Sequence, residues 1–124
     1  MEKKLQALSF GRKAEQAAQK FLIDKGYLFL AANWRYYKSE IDLIFEHQKT
    51  LVIVEVKARS ESFLISPLDA VDAKKMKMLV LGANGYLETH KLDLPIRFDV
   101  VTVVGENPEN QTIEHTQEAF HPFF

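Results

Sequence analysis

The chain has no cysteine among its 124 residues, which removes disulfides, thiolate metal sites and cysteine nucleophiles at once. Long apolar runs are missing too. No stretch approaches the roughly 20 residues that a membrane span needs, and the amino end lacks an apolar segment of the signal-peptide kind. A cytoplasmic protein is the expectation. Repeats, low-complexity stretches and linkers are absent, so one domain over residues 1–124 is expected, with 1–8 and 106–124 peripheral. Net charge is scarce as well, at −1, which argues against a broad basic coat for nucleic acid. The balance is uneven, however: residues 106–124 hold four Glu and no Lys or Arg, leaving +3 on the other 105. Local basic surface is therefore still available. Four histidines, His47, His90, His115 and His121, are scattered without metal-ligand spacing and read as structural or exposed.

What the chain does have is a dense stretch from Ser39 to Arg59. Two apolar runs flank a polar break at 46–49, the pattern of a β-hairpin. Side chains alternate across a strand, so Ile41, Leu43 and Phe45 are expected on one face, with Val52, Val54 and Val56 joining them. That requires the pairs 45/52, 43/54 and 41/56, because a slip of one residue would turn the valines away from Leu43. On the other face the same register sets Asp42 opposite Glu55 and Glu40 opposite Lys57. Two carboxylates about 5 Å apart at an effective dielectric of about 20 repel by on the order of 3 kcal/mol. A proton, Lys57 or a divalent cation can each relieve this. Oxygen donors without Cys or nearby His suit a hard ion, Mg²⁺ or Mn²⁺. The plain alternative is an exposed hairpin with a Glu40–Lys57 salt bridge, worth roughly 0.2–1 kcal/mol.

Around this hairpin, Ser9 reads as the N-cap of a helix that stops at Gly26. Ala14, Ala17, Ala18, Phe21 and Leu22 form its apolar stripe, and Glu15 rides the stripe's edge. Residues 27–34 read as a strand and 35–38 as a polar-aromatic loop. Basic groups among aromatics, Arg35 here, can hold phosphates and stack on bases, and are equally common in plain loops. Ser66-Pro67-Leu68-Asp69 reads as a second helix start. Leu68, Val71, Met78, Leu79 and Gly82 trace its buried stripe. Lys75 lies on that stripe, either snorkelling or reaching a site beneath the helix. Gly82 and Gly85 predict a kink or a stop before Tyr86. Residues 95–104 are a β-branched strand, 111–115 a short edge strand, and Asp99 is expected to finish a turn rather than support a site. Phe120, Phe123 and Phe124 should fold back on the body. The sum is an α/β fold, a mixed sheet covered by helices.

Asp42, then twelve residues, then Glu55-Val56-Lys57 resembles the PD-(D/E)XK nuclease signature. The longer phrases GRKAEQAA (11–18), EIDLI (40–44), VEVKAR (54–59) and RFDVV (97–101) together resemble the small bacterial YraN-like family, over roughly residues 10–120. Members of that family look like archaeal Holliday-junction resolvases. The resemblance implies a restriction-endonuclease-like αβββαβ core. It implies Asp42 and Glu55 as metal-binding carboxylates, Lys57 as the catalytic lysine and Glu15 as the helix acid completing the metal site. Arg35, Arg59 and Lys75 fall where nucleic-acid-binding basic residues are expected. Two departures bear on the substrate groove: Ser39 stands where the family has glycine, and 63–67 reads FLISP in place of a Phe-Gly-x-Pro approach.

The expected activity is Mg²⁺- or Mn²⁺-dependent hydrolysis of DNA phosphodiester bonds, in its sharper form on branched or structured DNA by a homodimer. A metal-held water, a neutralised phosphate and an ammonium from Lys57 are what that chemistry requires. Two alternatives stand beside it. One is a module that binds nucleic acid or protein on the same fold without turnover. The other is a structural α/β domain whose hairpin charges pair only among themselves.

Overall fold

A computed structural model describes residues 2–60, 71–105 and 107–121, with the backbone alone for 2–8. Helix α1 spans Glu2–Asp24. Strands β1 (Leu28–Tyr36), β2 (Ser39–His47) and β3 (Thr50–Arg59) follow, then helix α2 (Ala73–His90), strand β4 (Ile96–Val104) and strand β5 (Thr112–Thr116). The five strands lie in chain order in one sheet. β3 and β4 are parallel, joined through α2, and the other pairs are antiparallel. This is the expected αβββαβ order of a restriction-endonuclease-like core, a mixed sheet flanked by helices.

Each helix buries its stripe on one face. Ala14, Ala18 and Leu22 of α1 pack on Leu43, Phe45, Val52, Val54, Val101 and Val103. Leu79, Ala83 and Tyr86 of α2 pack on Ile41, Ile44, Leu51, Ile53, Phe98 and Val100. The α1 stripe matches the sequence reading, but its start does not: Ser9 lies inside a helix begun at Glu2, since residues 2–8 are mostly good helix formers. Gly26 closes it at a φ of 96°, and Tyr27 N–H donates back to the Leu22 carbonyl at 3.0 Å.

The expected loop at 35–38 shrinks to Tyr37-Lys38, because Arg35 and Tyr36 pair with Glu40 and Ser39 in the β1–β2 ladder. The hairpin break likewise narrows to Gln48-Lys49, both at positive φ, as a tight two-residue turn requires. Helix α2 opens at Asp72, whose carboxylate accepts the Lys75 N–H at 2.8 Å. Ser66 to Asp69 lie outside the described residues.

Gly82 and Gly85 neither kink nor stop α2, which runs on to His90. They let it approach the sheet. A Cβ on Gly82 would collide with the Ser39 hydroxyl and Ile41, and one on Gly85 would lie 2.5 Å from the Tyr36 ring. Ser39 uses that closeness: its hydroxyl donates to the Met78 carbonyl at 2.6 Å. Strand β5 forms as an edge, and Phe120 folds back to stack on Phe98 at 4.9 Å between centroids. Phe123 and Phe124 lie outside the described residues.

Candidate functional site

The hairpin register is the expected one as far as Leu43↔Val54, and there the described ladder ends. Instead of 41/56, the Val56 N–H is taken by the Asp42 carboxylate, Oδ2 accepting at 2.8 Å. On the other side of β2, pairing passes from Ala32↔Leu43 to Trp34↔Ile41 across Asn33, which has a φ of 50°. Ile41 packs on the α2 face while Leu43 and Phe45 stay on the α1 face. The expectation of all three on one face is thereby corrected. Asp42 is left at the split between β2 and β3, close to charged groups from both sides of the sheet.

Glu55, 4% exposed, lies on the α2 face. Its Oε1 is 3.3 Å from Lys57 Nζ and 3.6 Å from Lys75 Nζ. Lys75 therefore reaches a site beneath its helix. Among the described residues Glu55 Oε2 is buried with no hydrogen-bond partner, a costly state for a carboxylate oxygen. The Asp42 carboxyl is pushed up to about 7, by burial first and by the Glu55 charge second; the Val56 N–H and Lys75 pull the other way. Glu40 does not meet Lys57 but faces Arg35, 3.6 Å away, its partner in the β1–β2 ladder.

Glu15 comes from α1, opposite α2. Burial raises its carboxyl pKa most, the Asn33 side chain lowers it by a hydrogen bond, and Glu40 and Glu55 raise it further. It lines a groove of about 700 Å³ between α1 and the β1–β2 ladder, with Arg12, Asn33, Arg35 and Glu40 also on its walls. Arg59 continues the Glu55–Lys57 face, but its guanidinium donates to the Ala58 carbonyl at 2.8 Å.

The fold thus brings Asp42, Glu55, Lys57 and Lys75 together and holds Glu15 within electrostatic reach, with Arg35 beside the groove. Among the described residues no three His, Cys, Asp or Glu groups make a ready cage for a metal ion. A pair is nevertheless what Mg²⁺ ordinarily takes from a protein, one or two carboxylates with water and phosphate completing its shell. The unpartnered Oε2 and the all-oxygen donor set fit such an ion. Sequence reasoning missed Asn33 and Arg12. A lone Asn inside a β-prone run, a residue tolerant of left-handed φ, is the signal for the positive φ within β1. Asp99 does not merely finish a turn: it lies inside β4 on the α1 face, buried, with Arg97, His115 and the Glu118 N–H as partners, apart from the candidate site.

The fold and site define an α/β domain organised around a buried carboxylate pair with two attendant lysines. The model of the uncharacterised protein family UPF0102 matches residues 14–103, and the chain belongs to that family, the YraN-like one resembled by its sequence phrases. A UPF0102 protein of Phocaeicola vulgatus is 42% identical, over 91% of this chain and 93% of its own. One of Bacteroides thetaiotaomicron is 43% identical over 90% and 92%, and one of Flavobacterium psychrophilum 43% over 91% and 94%. No helix among the described residues is long and apolar enough to cross a membrane.

Proposed function

We propose that the protein is a divalent-cation-dependent nuclease that hydrolyses DNA phosphodiester bonds at Asp42, Glu55 and Lys57. The observation that carries the reading is the buried Glu55 Oε2, without a partner among the described residues, beside an Asp42 whose pKa is raised to about 7. Two acids kept together at this cost are what a cation site needs, and perturbed carboxylates cluster at such sites. Asp42 and Glu55 would hold Mg²⁺ or Mn²⁺, with Glu15 reaching in from α1. Bound there, the cation would supply an acidified attacking water and a polarised phosphoryl oxygen.

The chain's own groups do the rest. Lys57, near the carboxylates and partly exposed, offers its ammonium to charge developing on the scissile phosphate. Lys75 balances Glu55 from above and is exposed enough to touch a phosphate as well. Arg12 and Arg35 on the groove can seat the flanking DNA backbone by charge-assisted hydrogen bonds. Branched or structured DNA and a homodimer are the sharper form of this reading.

One observation favours a second reading. Glu55 Oε1 is already shared by two ammonium groups, so the cluster can be balanced without a cation, as a non-catalytic module binding nucleic acid or protein would need. Cleavage of linear, nicked and four-way-junction DNA in Mg²⁺ or Mn²⁺ separates the two. The nuclease reading expects cation-dependent products that vanish in the Asp42→Asn/Glu55→Gln double variant. Cutting that survives that variant assigns the activity elsewhere, and carboxylate-independent DNA binding without products supports the module.

A further inference from the structure

The two-residue turn between β1 and β2 is built at a cost. Its first residue, Tyr37, has a φ of 55°, where such turns ordinarily place glycine or asparagine and where a bulky side chain is a strained outlier. The ring does not repay this by burial, since Tyr37 is 85% exposed. It stands edge-on to Tyr36, with 4.7 Å between centroids and planes at 85°. Tyr36 in turn lies parallel to Trp34 at 5.7 Å and rests over Gly85, where a Cβ would strike its ring. Trp34 is anchored edge-on to the buried Tyr86 of α2. A rigid column of rings therefore runs from the core outward and ends in an aromatic face held in solvent. The exposed Lys38 follows Tyr37 in the turn.

Strain kept at an exposed site points to a use for it. An exposed aromatic face beside a lysine matches the chemistry of a nucleobase with its phosphate, because stacking tolerates any base while the cation follows the backbone. Paired bases inside a duplex have both faces covered by their neighbours. Only an unpaired, terminal or extruded base can lie on Tyr37. The turn is at most about 16 Å along β2 from Asp42, five residues at about 3.3 Å each, so such a base would lie close to the scissile phosphate.

We infer that Tyr37, carried on Tyr36 and Trp34, is a stacking platform for an unpaired base, and that the DNA recognised here has single-stranded character beside the cutting point. This rests on the nucleic-acid reading above and names its substrate class.

The test compares fluorescence anisotropy of a labelled single-stranded oligothymidylate and a blunt duplex of equal length, in EDTA, for wild type, Tyr37→Gly and Tyr37→Phe. Glycine removes the ring and relieves the φ, so the thermal midpoint should hold or rise and misfolding cannot account for lost binding. Loss of single-strand affinity on the order of tenfold in Tyr37→Gly, with the duplex unchanged and Tyr37→Phe like wild type, is the expected result. Wild-type affinity of Tyr37→Gly for the single strand overturns the platform, even where Mn²⁺-dependent cleavage upholds the nuclease. A wild type that binds neither probe likewise overturns the platform, and Mn²⁺-dependent cleavage then decides the nuclease reading separately.

Discussion

Asp42 supplies with its side chain a hydrogen bond that the hairpin backbone leaves unmade: its Oδ2 accepts the Val56 N–H at 2.8 Å, just past the last ladder pair Leu43↔Val54. One contact thus ends the ladder, pins β3 and sets the carboxylate beside Glu55. Burial and the Glu55 charge together hold that carboxyl at about 7.

The raised pKa predicts how stability depends on pH. The fold prefers Asp42 protonated, so this group's stabilisation is complete below its ordinary value of 3.8. It declines as pH rises and is lost once pH passes about 7. Urea unfolding of the metal-free protein should therefore show a falling contribution between these limits, amounting to roughly 2–4 kcal/mol. Asp42→Asn should flatten that part of the profile and be the more stable protein at pH 8. A profile identical in both would mean Asp42 ionises without penalty.

Cation binding should act on the same penalty. Mn²⁺ is expected to raise the thermal midpoint of the wild type saturably, and more at pH 8 than at pH 6, because the ion competes with a proton. Glu55→Gln should abolish the shift. Calorimetric scans with and without Mn²⁺ measure it, and an equal shift in wild type and variant would place the ion elsewhere.

Lys57 separates chemistry from binding. Lys57→Ala should lower the rate of DNA cleavage on the order of 10²–10³-fold, the usual loss for a removed charge-stabilising group. Mn²⁺ affinity should hold or tighten, since a competing ammonium has left Glu55. Paired cleavage and metal-titration measurements decide this; parallel loss of both would make Lys57 a prop for the carboxylates.

Asp99 lies in a different network. Arg97 binds it through two nitrogens at 2.8 and 2.9 Å, His115 Nε2 is 2.7 Å away, and Tyr27 holds the same Arg97. Burial alone would raise the Asp99 carboxyl pKa, but hydrogen bonds from His115 and Arg97 outweigh it and bring the value below the ordinary one. This stabilisation is present above the unfolded carboxyl's pKa and is lost as pH falls through the lowered folded value. Asp99→Ala should cost about 3–5 kcal/mol at neutral pH by stranding Arg97, with the acid limb of the unfolding profile shallower. Loss under 1 kcal/mol in urea titrations would show the network to be dispensable.

Gly85→Ala sets two magnitudes against each other. Alanine gains up to about 1 kcal/mol of helix propensity, whereas the new Cβ meets the Tyr36 ring at 2.5 Å, and overpacking typically costs about 1–3 kcal/mol. Net destabilisation is expected in urea unfolding. Net stabilisation would mean that Tyr36 can move aside cheaply.

The pairs 45/52 and 43/54 were legible because alternation at period two leaves one register that buries both runs. The pair 41/56 was not. Nothing in the spacing of Ile41, Leu43 and Phe45 announces that Ile41 turns to α2 or that the Val56 N–H goes to Asp42. Gly82 and Gly85 misled for a related reason. Local propensity reads glycine as a weak point in a helix, but the close approach of Ser39 and Tyr36 makes their missing Cβ atoms the condition for packing. Tyr37 looked like part of a polar-aromatic loop, and only the β1–β2 ladder shows it alone at the tip in a strained φ.

By itself the sequence determined the α/β class, the order of elements, most of both apolar faces and the acids and lysines that the fold gathers, since these follow from periodicity and residue chemistry along the chain. Tertiary structure alone decided that Lys75 and Lys57 share one oxygen of Glu55, that the other oxygen has no partner among the described residues, and that Glu15 approaches from the opposite side of the sheet. Distances and desolvation between side chains remote in sequence depend on how strands splay and helices dock, and no spacing rule along one chain encodes them.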